Sequence, residues 1–310
     1  MKRHIKGLHH ITSLASDALQ NNGFFTQVLG LRRIKKTVNF DRPEVYHLYY
    51  GDAVGTPGAV MTYFPIPDIK RAHAGTGEVG TTVFAVPEGS LPYWQDRLEG
   101  LGLDGLTEAV RFGERRLGFR GPDGDGFALV EQPGDNRIPW EGSDVSADDA
   151  IRGFHSATLR LAEPGPMAEL LTLMGYAPAE SEGNNQRFRL ADGNGADIID
   201  ISAMPGAEPA VEGAGSVHHI AFAVDNREQQ LEVREAFVDA GYSVTPVIDR
   251  DYFWAIYFRT PGGVLFEIAT AEPGFDRDEE RDHLGEALKL PQQHAHLRET
   301  LERDLPPIID

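Results

Sequence analysis

Five residues on three short segments carry the most pointed chemistry in this chain. They are the doublets His9-His10 and His218-His219, and Glu267 inside the apolar run Val264-Leu265-Phe266-Glu267-Ile268. Each doublet opens a segment that reads as a strand, Leu8-His9-His10-Ile11-Thr12 and Val217-His218-His219-Ile220-Ala221-Phe222. Two neutral imidazoles and one carboxylate on separate strands form the donor set that binds Fe(II) while leaving coordination positions open. Alternate residues of a strand share a face, so His219 goes with Ala221 and Ala223, and His218 with the bulky Ile220, Phe222 and Val224. The small set leaves room for a cavity, which selects His219 as the ligand and His10 by the same position. His9 and His218 then become candidates to support the ligands, although strict alternation points them away and only strand twist or the cavity rim brings them near. Alternation puts Glu267 beside Leu265 and Ala269, where a carboxylate needs a partner or a metal.

The turn Pro261-Gly262-Gly263 joins the Glu267 segment to Asp251-Tyr252-Phe253-Trp254-Ala255-Ile256-Tyr257-Phe258-Arg259, and a hairpin there brings Tyr257 close to Glu267. Its phenol either donates a hydrogen bond to an oxygen bound at the site or is a core aromatic satisfied elsewhere. Arg250 either steadies an anionic oxygen or pairs with Asp251. His294-Ala295-His296 has the look of a metal tract, but its charged surroundings read as a solvated face. Gly121-Pro122-Asp123-Gly124-Asp125-Gly126 lacks the Lys-Ser or Lys-Thr ending of a phosphate loop, and there is no G-x-S-x-G elbow.

The elements that must position these groups follow from an internal repeat. Four segments share one order: a short strand, an amphipathic helix, then strands closing after a Gly-containing turn. They open near Gly7, Val79, Gly153 and Val217. Aligned on the opening strand, one column holds His10, Thr81, Ser156 and His219. Counted from Gly58, Gly124, Gly195 and Gly263, a column of the closing strand holds Thr62, Ala128, Ile199 and Glu267. Ligand-type side chains therefore stand in repeats one and four. The expected fold is α+β: four βαβββ modules paired into two domains, with curved, partly open mixed β-barrels, outer helices and a C-terminal helical strap. The expected division is 1–135 for modules one and two, a linker at 136–150, 151–275 for modules three and four, and a tail at 276–310. Leu284, Leu288 and Leu290, then Leu297, Leu301 and Leu305, suggest helices in that tail.

Composition narrows the function further. With 310 residues and no cysteine, disulfides, thiolate nucleophiles and Cys-based metal sites are excluded, and a reducing cytoplasm fits. Lys and Arg number 29 against 48 Asp and Glu, a net charge of −19 that disfavours nucleic acid and anionic membranes as partners. Met1-Lys2-Arg3 has the charge of a signal-peptide start, but Gly7-Leu8-His9-His10 follows where a long apolar stretch is needed, so a soluble intracellular protein is expected.

Together Leu8-His9-His10-Ile11-Thr12, Val217-His218-His219-Ile220, Asp249-Arg250-Asp251-Tyr252-Phe253 and Thr260-Pro261-Gly262-Gly263-Val264-Leu265-Phe266-Glu267-Ile268 resemble the vicinal oxygen chelate superfamily. Within it they are most similar to the two-domain dioxygenases that cleave hydroquinones, the para-dihydroxybenzenes. The resemblance covers nearly the whole chain. It implies Fe(II), sometimes Mn(II), on His10, His219 and Glu267, and supporting roles for His9, Thr12, His218, Arg250 and Tyr257. Catechol-cleaving relatives place their first His in the third module, where this chain has Ser156 with His155 beside it. A small aromatic substrate and O2 are the implied partners, and homo-oligomer formation is left open. Two rival readings are a glyoxalase-like isomerase or lyase using Zn(II) or Ni(II), and a metal-free protein that binds small aromatics.

Overall fold

The computed structural model describes residues 4–308, so Met1-Lys2-Arg3 lies outside the described residues. Module one contains β1 (Leu8–Ala15), α1 (Ala18–Gly23), β2 (Arg32–Val38), β3 (Tyr46–Gly51) and β4 (Val60–Pro65). Module two contains β5 (Glu78–Val86), α2 (Leu91–Gly100), β6 (Thr107–Arg111), β7 (Glu114–Arg120) and β8 (Gly126–Glu131). Module three contains β9 (Gly153–Leu161), α3 (Gly165–Leu173), β10 (Ala177–Glu182), β11 (Asn185–Arg189) and β12 (Ile198–Ala203). Module four contains β13 (Val217–Val224), α4 (Arg227–Asp239), β14 (Ile248–Asp249), β15 (Phe253–Arg259) and β16 (Leu265–Pro273). Helix starts are set by side-chain caps where the sequence offers them. Asp17 Oδ1 accepts from Gln20 N at 2.7 Å and Asn226 Oδ1 from Gln229 N at 3.0 Å.

Two eight-stranded sheets result, in the orders β14-β15-β16-β13-β1-β4-β3-β2 and β10-β11-β12-β9-β5-β8-β7-β6. Each module pairs its first strand with its last in parallel, and the modules join through antiparallel seams, β1 with β13 and β5 with β9. One sheet thus unites modules one and four, and the other modules two and three. This corrects the expected pairing of neighbours along the chain. Both faces of β1 are buried throughout, because helices cover one side and the curled sheet encloses the other. Burial alone therefore does not mark the faces, and side-chain size does.

The closing-strand column also needs correction in module three. Glu267 pairs with Ala221, Thr62 with Thr12 and Ala128 with Val83, whereas the corresponding partner of Thr158 is Asp200, not Ile199. One extra residue is spent in the turn before β12. There Asn194 reaches Leu8 O and Pro57 O, and Asp197 accepts from Gly195 N.

The tail is less helical than its leucine spacing suggests. Three short 3₁₀ turns precede one α-helix, α5 (Arg298–Asp304). Leu288 instead makes a strand-like bridge to Lys36. Gly285, at φ +79°, passes so close to module one that a Cβ would meet Arg33 O at 2.1 Å, and Pro291 follows. The tail is still a strap: buried Lys35 pairs with Asp278 at 2.7 Å and with Glu279, and Tyr46 Oη donates to Pro306 O at 3.0 Å. No described helix is long and apolar enough to cross a membrane.

Candidate metal centre

The β1–β13 seam and the β13–β16 pairing put His10, Ala221 and Glu267 in one row across three strands, with His219 opposite Thr12 in the next. Ala221 is the small residue between a histidine and a glutamate, and this is what lets their side chains converge above the sheet. His10 Nε2 and His219 Nε2 lie 3.3 Å apart, and Glu267 Oε2 stands 3.4 Å from the first and 2.9 Å from the second. All three residues are buried, and their donor atoms lie within 4.8 Å of one another. Donors held about 2.1 Å from one ion at right angles stand roughly 3 Å apart.

The carboxylate provides a test of fit. Glu267 is fully buried and neither oxygen has a hydrogen-bond partner, despite the short distances to the imidazoles. An ionised carboxylate left so would cost several kcal/mol, about the price of an unpaired buried charge. Burial would raise its pKa, but the two imidazoles outweigh burial and hold it well below the ordinary value. A cation between the three groups satisfies them all.

The neighbouring histidines orient the two donor imidazoles. His9 Nε2 lies 3.1 Å from Thr270 O, a carbonyl that can only accept, so His9 carries its proton there. Its Nδ1 then accepts from His10 Nδ1 at 2.9 Å, which leaves the His10 Nε2 lone pair facing the donor cluster. Burial, with repulsion from His10, pushes His9 down to about 3, so it is neutral as this arrangement requires. His218 Nδ1 stands likewise 2.7 Å from His219 Nδ1, and burial foremost lowers His219 to about 4. Strict alternation pointed both neighbours away; adjacent rings at 78–85° nonetheless meet edge to face.

A cavity of about 480 Å³ opens onto the donor cluster, walled by Phe40, Phe64, Phe253 and Leu265. Arg250, Tyr257 and His218 also line it. Tyr257 pairs directly with Glu267 across the predicted hairpin, and Arg250 Nε donates to Tyr257 Oη at 3.1 Å. Arg250 faces Asp41 at 3.6 Å rather than Asp251. Thr12 stands behind the cavity wall, bonded to Thr62 at 2.9 Å. His155 lies in the other sheet against Ser156 and Glu114. His294 reaches Phe40 O at 2.8 Å, so it braces a cavity-bordering loop and is not merely solvated.

Two cavity residues escaped the sequence reading. His47 Nε2 bonds Thr62 Oγ1 at 2.8 Å and His47 Nδ1 bonds Tyr49 Oη at 2.9 Å, extending the Thr12–Thr62 pair along the wall. The signal was available, since a histidine and a tyrosine at i and i+2 of a strand share a face.

Comparison with known proteins agrees with this geometry. The pattern of the Glyoxalase/Bleomycin resistance protein/Dioxygenase superfamily matches residues 157–268. The chain is 41% identical over 308 residues to a Bacillus subtilis protein named as ring-cleaving dioxygenase MhqO, covering 99% of this chain and 98% of the relative. The chain belongs to the vicinal oxygen chelate superfamily. Another member, the chlorohydroquinone/hydroquinone 1,2-dioxygenase of Sphingobium indicum, is 34% identical over 310 residues, covering 97% of this chain and 96% of its own. A crystal structure of a Bacillus subtilis protein titled as a dioxygenase superposes with a TM-score of 0.95 at 40% identity, covering 99% and 98% of the two chains. Glyoxalase I from Zea mays, at 13% identity and a TM-score of 0.64 over 86% of this chain and 92% of its own, shares the vicinal oxygen chelate fold.

Proposed function

We propose that this protein is an Fe(II)-dependent, extradiol-type dioxygenase that inserts O2 into the ring of a hydroquinone, with His10, His219 and Glu267 as metal ligands. The observation that carries the proposal is the convergence of three buried donors at the end of a cavity walled by aromatic rings. Relatives that span nearly the whole chain and are named for ring cleavage and hydroquinone support the substrate class.

His10, His219 and Glu267 would hold Fe(II), or Mn(II) in its place, which would supply Lewis acidity toward a phenol oxygen and redox chemistry toward dioxygen. The chain does the rest. His9 and His218 hold the ligand imidazoles with Nε2 inward. Phe40, Phe64 and Phe253 exclude water and hold the substrate ring. Tyr257 Oη accepts from Arg250 Nε, which leaves its own hydrogen to donate to a substrate oxygen. His218 is the second group at the wall able to hold or pass a proton. Thr12 supports the wall through Thr62 and His47.

The test is oxygen uptake by anaerobically Fe(II)-loaded protein offered substituted hydroquinones and catechols. Iron-dependent uptake with hydroquinones is expected. Uptake with catechols alone, or none from an iron-loaded protein, would overturn the proposal.

A further inference from the structure

The second sheet repeats the layout of the first, and its register shows what stands where the metal ligands were. Thr81 and Ser156 occupy the positions of His10 and His219. Asp200, paired with Thr158, occupies that of Glu267, paired with Ala221. Arg187, paired with Asp200, occupies that of Tyr257, paired with Glu267. The carboxylate persists, but Arg187 grips it through Nε and Nη2 at 2.8 and 3.0 Å, and Arg116 adds a third bond at 3.1 Å. Guanidinium groups of the chain itself supply the cation here, and their charge repels a metal ion.

Above this centre a cleft of about 440 Å³ remains, close in size to the metal cavity. Arg111, Arg116 and Arg120 line it with a single carboxylate, Glu182, whose Oε2 accepts from Phe112 N at 2.8 Å. In a chain of net charge −19 this wall runs against the overall field. Among the described residues, Arg120 has a single hydrogen-bond partner, the carbonyl Gly124 O at 3.2 Å. Arg111 is half-buried, and among the described residues its guanidinium has no hydrogen bond or ion pair. Burial and the adjacent Arg116 lower its pKa, with Asp200 and Glu182 opposing and Arg187 adding to the repulsion. A cation held under these conditions is stabilised by an anion arriving from outside. Ala109, Gly118 and Ala128, which share the strand face of Arg116, give the same cleft a flat apolar floor, suited to a carbon body more than to a bare inorganic ion.

We infer that the cleft between modules two and three is a second binding site, which takes a small organic carboxylate with a flat unsaturated or aromatic body. The carboxylate docks on Arg111 and Arg120, and the body lies flat over Gly118 and Ala128.

Isothermal titration of the full chain with benzoate, at low ionic strength and with inorganic phosphate as the control anion, tests this. Saturable binding at one benzoate per chain is expected, tighter than phosphate and weakened at higher salt. Arg111→Gln and Arg120→Gln should each weaken it about tenfold or more, the loss of one charge-assisted hydrogen bond. Glu267→Ala, which alters only the other cavity, should leave it unchanged. Three results would overturn the inference: no saturable heat, phosphate bound as tightly as benzoate, or binding that Glu267→Ala abolishes while a correctly folded Arg111→Gln retains it.

Discussion

Replacing His9 by Phe isolates the orientation of a ligand from its identity. The phenyl ring keeps the packing against Phe253, whose centroid lies 5.2 Å from that of His9. What disappears is the acceptor 2.9 Å from His10 Nδ1 and the donor 3.1 Å from Thr270 O. Each buried polar group left unpaired costs about 1 to 3 kcal/mol, so the melting temperature should fall measurably. The metal should suffer separately. With no acceptor at Nδ1, the His10 proton is free to move to Nε2, where it blocks the lone pair that faces Glu267 and His219. Losing the group that orients a ligand histidine typically costs 10- to 100-fold in metal affinity, or about 1.4 to 2.7 kcal/mol. The assay is anaerobic Fe(II) competition against a chelator, on protein whose circular dichroism matches the parent. Affinity within twofold of the parent would refute the tautomer argument, because His10 would then not depend on His9 for its proton.

Other consequences follow from the same geometry. His10→Ala should strip the metal, whereas His155→Ala, confined to the other sheet with Glu114 and Ser156, should retain iron and most activity; the reverse pattern in metal analysis would place the site between modules three and four. Tyr257→Phe should keep its iron but lower kcat on hydroquinone at least tenfold, and unchanged turnover would remove Tyr257 as a hydrogen-bond donor to substrate. Asp125, buried beneath Tyr63 Oη at 2.7 Å, is pushed up to about 6, chiefly by burial. A pKa raised above the unfolded value makes the folded protein lose stability as pH rises from about 4 to 6, by roughly 3 kcal/mol at most. Asp125→Asn should therefore gain stability relative to the parent in urea unfolding at pH 7.5 and lose most of that advantage at pH 4.5, and a difference independent of pH would refute the assignment.

How much of this could be read from the sequence depended on the range of the interaction. The donor set was legible because the repeats act as controls for one another and because Ala221 and Ala223 mark the roomy face of β13. The Tyr257–Glu267 hairpin was legible because its turn is local. The joining of module one to module four was not written in any short segment. It depends on an antiparallel seam between β1 and β13, strands separated by most of the chain, and neighbours along the sequence end up in different sheets. Asp200 was missed for a smaller reason, a turn one residue longer than its counterparts. In the tail, leucine spacing promised helix where Gly285 and Pro291 forbid it. His9 and His218 stood as candidates beside the donors even though strict alternation points them away, because alternation describes Cβ directions and not where an imidazole edge can reach.

The central claim is that one iron is held by His10, His219 and Glu267, and Glu267 supplies its only anionic ligand. Anaerobic Fe(II) titration of the parent and of Glu267→Ala, each confirmed as folded, tests it most directly. One iron per chain in the parent, with none retained and no hydroquinone-dependent oxygen uptake in the variant, is the predicted result. Iron bound by Glu267→Ala at the parent's stoichiometry and affinity would contradict the account.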